Sequence, residues 1–171
     1  MLAIQVLLRT AEVMSGLKGK DFVWIKDPLT KVVRSVVISL GPTKTCRHGA
    51  GVFVELAAGT RAFTYLTKLF AVRNLHSSQD DFVFCMIRSN VLYPRQKAGE
   101  DSFRELIKRT VSSIGLNPNH YSGHSCRAGG ATDLFAAGVQ YYVVKKYGRW
   151  SSDTALIYYR CKFSIACQAA V

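Results

Sequence analysis

The segment from Gly123 to Gly138, GHSCRAGGATDLFAAG, limits the possible folds of this chain more than any other stretch. His124 and Arg127 stand three residues apart, so in a helix they share one face. Four small residues follow at once: Ala128, Gly129, Gly130 and Ala131. Two glycines inside a helix cost about 1 kcal/mol each relative to alanine, which points to a helix that another backbone must approach closely. Gly138 supplies the left-handed residue that closes such a helix. The loop NPNHYSG brings His124 to the helix N-terminus, where open amides and the helix dipole favour an anion. Downstream, GRW and then Tyr158 and Tyr159 ahead of Arg160 extend the run of polar groups beside apolar ones.

The overall charge agrees with an anionic partner. The 171 residues carry 23 Lys and Arg against 11 Asp and Glu, a formal net charge of +12, which favours a polyanion and above all nucleic acid. With 49% hydrophobic residues the chain can bury a real core as one domain. No apolar run reaches the roughly 18 residues of a spanning helix, and the opening MLAIQVLLRTAEVM lacks the basic lead of a signal peptide. Cys46, Cys85, Cys126, Cys161 and Cys167 are odd in number and show no CxxC spacing. Reduced thiols in an intracellular protein are therefore expected, with no metal and no small-molecule cofactor. Cys46 and His48 are two potential ligands, too few for a metal site.

Hydrophobic periodicity predicts a helix over Leu2–Leu17, ended by Gly16 and Gly19. DFVWI, KVVRSVVISL and GVFVEL read as strands. GPTKTCRHGAG between the last two reads as a hairpin tip or loop. Thr60–Val72 and Ser102–Ile114 read as helices, with DFVFCMI of ambiguous type and NVLYPRQKAGE irregular between them. Three short helices close the chain. The fold class expected is α+β, mostly helical, with one small antiparallel sheet.

The ordered set HxxR, GRW and tyrosine before arginine resembles the catalytic core of the tyrosine recombinases, the phage integrase family, and most of all its Cre-like and DIRS-type integrases. Upstream, LLRTAE resembles the family's first box, an arginine followed three residues later by an acid, here Arg9 and Glu12. GPTKT sits where the family carries a hairpin lysine, here Lys44. The resemblance runs from Leu7 to Arg160.

That resemblance implies metal-free breakage and religation of a DNA phosphodiester, as in site-specific recombination or integration of a mobile element. Tyr158 would attack the phosphate and form a 3′-phosphotyrosine. Arg9 and Arg127 would clamp its non-bridging oxygens, since a guanidinium fork matches phosphate geometry. His124 would add a hydrogen bond and shuttle the tyrosine proton, Trp150 would donate its indole N–H and wall the pocket, and Lys44 would protonate the departing 5′ oxygen. Glu12 would orient Arg127 or His124 from behind. The Y-x-R match selects Tyr158; the longer tryptophan-to-tyrosine spacing of some relatives selects Tyr159.

The family's partners would be double-stranded DNA and further copies in a homotetramer, in the nucleus of a eukaryote or otherwise in the cytoplasm, with no membrane involved. Arg9 stands nine residues into the chain. Residues 1–171 are therefore expected to be a catalytic domain truncated at its N-terminus, its core-binding clamp and first helix lying outside. Two alternatives stand beside the recombinase: an inactive DNA-binding remnant of an integrase, and a type IB topoisomerase-like activity.

Overall fold

β-Branched and aromatic residues are frequent along β1 (Phe22–Lys26), β2 (Val33–Ser39) and β3 (Phe53–Ala57), and the more buried side chains of each include Phe22, Val36, Ile38, Val54 and Leu56. The computed structural model describes residues 7–41, 51–75 and 80–159. The three strands form an antiparallel sheet in the order β1-β2-β3. Register pairs Phe22 with Ile38 and Ile38 with Val54, and likewise Trp24 with Val36 and Val36 with Leu56, so these side chains line one face.

Against that face packs the helix α2 (Arg61–Val72), which buries Ala62, Leu66 and Phe70. Thr60 caps it, its hydroxyl accepting the Phe63 N–H at 3.3 Å. Phe70 meets the edges of Phe22 and Trp24 at ring separations of 5.2 and 5.3 Å. Such aromatic contacts dominate core energetics.

The helix expected over Leu2–Leu17 is much shorter among the described residues: α1 spans only Thr10–Val13. Leu7 sits at φ 50° and Arg9 is extended at φ −72°, ψ 153°, so no helix can run through residues 7–9. The break turns the Leu7 carbonyl inward, which matters below.

The stretch read as irregular, with the ambiguous one before it, is a second sheet: β4 (Cys85–Arg88) pairs antiparallel with β5 (Val91–Lys97). Ser89 and Asn90 take φ of 47° and 62°, the paired left-handed turn that a two-residue hairpin needs. Pro94 obscured the strand, yet it is tolerated here because β5 is an exposed strand. α3 (Glu100–Ser113) follows, two residues earlier than its apolar pattern suggested, with Glu100 and Asp101 in its first turn.

The chain ends in α4 (Gly123–Ala136), α5 (Tyr141–Tyr147), a 3-10 turn (Asp153–Ala155) and helical residues 156–159. A second, smaller core forms here from Leu7, Ala131, Phe135 and Val144, with Trp150, Tyr158 and Tyr159 packed against it. Gly138 closes α4 at φ 83°. Among the described residues no helix is long and apolar enough to cross a membrane.

Two stability outcomes follow. Phe22→Ala empties the centre of the larger core and should cost about 3–5 kcal/mol in urea denaturation. Within the run Ala128–Ala131, where close approach of a backbone was expected, Gly129 shows none, since an added Cβ would meet nothing within 4 Å. Gly129→Ala should therefore raise stability by about 1 kcal/mol, read in the same experiment.

Candidate active site

The N-terminus of α4 is set by a reciprocal cap. The Ser122 hydroxyl accepts the His124 N–H at 3.3 Å, while the Ser122 N–H donates to Ser125 Oγ at 3.0 Å. Gly123 then lets α1 come close: a Cβ there would lie 1.8 Å from Thr10 Oγ1 and 2.9 Å from Thr10 Cβ. Arg9 and α4 are thereby brought to one place. This close approach, of a side chain, falls at Gly123, ahead of the Ala128–Ala131 run where a neighbouring backbone was expected.

One turn into α4, Arg127 is only 2% exposed. Its Nη1 donates to the Leu7 carbonyl at 3.0 Å and its Nη2 to the Gly148 carbonyl. The guanidinium lies over the Trp150 ring, 4.2 Å from its centroid. Trp150 itself can occupy that place only because residue 148 is glycine, since a Cβ at Gly148 would fall 1.6 Å from Trp150 Cζ3. Burial, reinforced by the charges of Arg9 and Arg149, pushes the Arg127 pKa down to about 10, against the opposing pull of Glu12 and Tyr158.

The two tyrosines separate cleanly. Tyr158 Oη lies 2.5 Å from His124 Nε2, and its ring is tilted against Trp150 with centroids 5.9 Å apart. Burial holds the Tyr158 phenol above its ordinary pKa, with the Arg127 charge acting in the opposite direction. Tyr159 instead sets its edge on Phe135, 5.0 Å between centroids, in the smaller core. His124, Arg127, Trp150 and Tyr158 are thus gathered in one cluster, and Arg9 is close enough for its charge to act on Arg127. Lys44 and Arg160 lie outside the described residues.

Glu12 requires a correction. Its hydrogen-bond partners are Arg9 and Arg149, in place of the expected Arg127 or His124. Oε1 accepts Arg9 Nη1 at 3.0 Å, and Oε2 accepts the Arg9 backbone N–H at 2.7 Å and Arg149 Nη2 at 2.8 Å. The helix break at residues 7–9 turns the first turn of α1 toward GRW, so the carboxylate faces Arg149. Sequence reasoning quoted GRW for its tryptophan and passed over its arginine. The positional signal was available, because Arg149 adjoins the motif's glycine and tryptophan.

Two guanidiniums, Arg9 and Arg149, share the carboxylate of Glu12, and Arg127 feels its charge without a bond to it, which leaves positive charge in excess at this cluster. Arg9 retains 28% side-chain exposure. A cationic hollow with a phenol at hydrogen-bond distance from an imidazole suits a phosphate ester and a nucleophile beside it.

A family model described as Phage integrase family matches residues 1–164. Recombinase Cre of Escherichia phage P1 is 25% identical over 168 residues, covering 92% of this chain and 46% of that protein. Among solved structures, XerH site-specific recombinase in a post-cleavage complex with palindromic difH substrate is similar at TM-score 0.69 and 19% identity, covering 99% of this chain and 43% of the other. The Tn1549 transposon integrase in complex with circular intermediate DNA is similar at TM-score 0.56 and 17% identity, covering 92% and 53%. The chain thus spans about half the length of these relatives. The structural likenesses carry the fold, α+β and mostly helical with small antiparallel sheets.

Gly123→Ala should drive α1 from α4 and cost about 1–3 kcal/mol of stability. Thr10→Ala in the same chain, by removing the Oγ1 that clashes, should recover part of that loss in urea denaturation.

Proposed function

Because this chain belongs to the phage integrase family, we propose that it is the catalytic half of a tyrosine recombinase, cutting and resealing DNA strands during site-specific recombination or integration. The observation that carries the reading is the 2.5 Å contact between Tyr158 Oη and His124 Nε2 beside the buried Arg127. The partner is double-stranded DNA, attracted by a formal charge of +12. A homotetramer on DNA is the assembly in which two duplexes exchange strands.

The step runs as follows. Tyr158 Oη attacks the scissile phosphorus and passes its proton to His124 Nε2. The new bond is a 3′-phosphotyrosine, and the bond broken is that between phosphorus and the 5′ oxygen. Lys44 gives the leaving oxygen its proton. Attack by a free 5′ hydroxyl reverses the step and reseals the strand, so the bond energy is kept. Arg9 and Arg127 face the charge that builds on the non-bridging oxygens, usually the largest catalytic term. Trp150 holds the Arg127 guanidinium flat from below. Tyr159, packed on Phe135, is the lesser candidate for nucleophile. Family membership favours neither the inactive remnant nor the topoisomerase-like reading.

On a nicked suicide duplex the chain should form a covalent adduct that survives denaturing gel electrophoresis. Tyr158→Phe should abolish it and Tyr159→Phe should leave it; the reverse pattern would move the nucleophile to Tyr159, and no adduct from the unaltered chain would refute the enzyme. Arg127→Lys keeps the charge and loses the fork, so adduct formation should fall by about 100-fold.

The pH profile has a definite sign. The Tyr158 phenol is held above its ordinary range, so it stays protonated at neutral pH and the adduct rate should climb as alkali is added. Arg127 loses its proton near pH 10, so the rate should turn down there before any plateau. Rapid-quench measurement of the adduct across the alkaline range checks both limbs.

A further inference from the structure

Arg149 has no part in the scheme above, yet it is held as firmly as the residues that do. Its side chain is 11% exposed and Glu12 beside it is 6% exposed. Nη2 donates to Glu12 Oε2 at 2.8 Å and to the Leu7 carbonyl at 3.1 Å, and Nη1 donates to the Tyr147 carbonyl at 3.2 Å. The backbone carries a cost for this: Arg149 sits at φ 59°, a left-handed conformation that disfavours a non-glycine residue. A cation placed for stability alone would also be poorly sited, because a buried guanidinium beside two others adds repulsion.

The chemistry of Glu12 explains the placement. A carboxylate buried among guanidiniums forms a two-pronged pair with whichever one it can reach. If it closed on both arms of Arg9, or swung to Arg127, it would neutralise the very fork that must grip a phosphate. In the structure Glu12 is divided: Oε1 takes one arm of Arg9, and Oε2 is turned to Arg149 and the Arg9 backbone N–H. We propose that Arg149 is a positioning residue that serves as the counter-ion of Glu12, holding the carboxylate in this divided pose so that Arg9 and Arg127 keep donors free for the DNA phosphate. The inference rests on the reading of this hollow as a strand-cleaving phosphate site.

The Leu7 carbonyl supports the same division. It accepts from Arg127 Nη1 and from Arg149 Nη2, which sets the two guanidiniums side by side and apart from each other's remaining N–H groups. With Arg149 gone, the buried Glu12 would keep only its two bonds from Arg9, and its Oε2 would turn on the phosphate-gripping arginines. The harm then comes from Glu12, which gives the test its edge.

Arg149→Gly removes the guanidinium while relieving the left-handed backbone. It is compared with Glu12→Gln and with the two changes combined, all in the 171-residue chain on the nicked suicide duplex. Affinity is read separately by anisotropy on an uncleavable duplex. At saturating DNA the Arg149→Gly adduct rate should fall by about 100-fold, with affinity changed less than about threefold, since one phosphate contact among many is at stake. Adding Glu12→Gln should recover about tenfold of the rate, because the neutral amide still accepts from Arg9 and no longer competes for it. Arg149→Lys, which keeps a cation beside Glu12, should stay within about tenfold of the unaltered chain. A folded Arg149→Gly with an unchanged rate overturns the proposal, as does a double variant worse than Arg149→Gly alone. If the glycine variant does not fold, Arg149→Gln takes its place under the same criteria. Absence of any adduct from the unaltered chain is a different result: it refutes the strand-cleaving site, and this inference with it.

Discussion

A single backbone carbonyl sits at the junction of everything this molecule assembles. Leu7, bent to φ 50°, turns its oxygen inward to accept from both Arg127 and Arg149. Burying a guanidinium without partners costs several kcal/mol, so two of them can enter the interior only where acceptors are already fixed. The carbonyls of Leu7 and Gly148 are such acceptors for Arg127. They come from opposite ends of the chain, and α4 lies between them in sequence. The arginine therefore acts as a rivet through three segments, and the hollow exists because it does.

Burial gives this cluster its electrostatic character. Trp150 stacked on the guanidinium and the small core of Leu7, Ala131, Phe135 and Val144 behind it keep the local dielectric low. In such surroundings repulsion among Arg9, Arg127 and Arg149 is strong enough to lower the basicity of Arg127. The Glu12 carboxylate offsets part of that repulsion.

Much of the fold was legible. The three strands of the larger sheet and the helix over Arg61–Val72 announced themselves through alternation or runs of β-branched residues and through helical period, which are local signals. The hairpin of β4 and β5 did not, because its turn is Ser89-Asn90 without glycine and its second strand contains Pro94. The site's members were legible as residue types in order, from His124 through Trp150 to Tyr158. Their pairings were not. That Glu12 faces Arg149 depends on the left-handed backbone at Leu7, and nothing in a run of leucines betrays such a residue. Nor does composition tell which of two adjacent tyrosines points inward to the ring of Phe135 and which to His124.

That last distinction has a mechanical consequence. Residues 156–159 are helical, and neighbouring side chains on a helix are turned by about 100° from one another. Slippage by a single position would therefore exchange the phenol beside the imidazole for its neighbour. The edge-on contact of Tyr159 with Phe135 works against this as a pawl works on a ratchet. Its partner Phe135 is itself buried and stacked on Tyr141 at 6.5 Å, so the stop does not yield. The Tyr158 phenol is thus kept beside the His124 imidazole by a ring contact in which it takes no part.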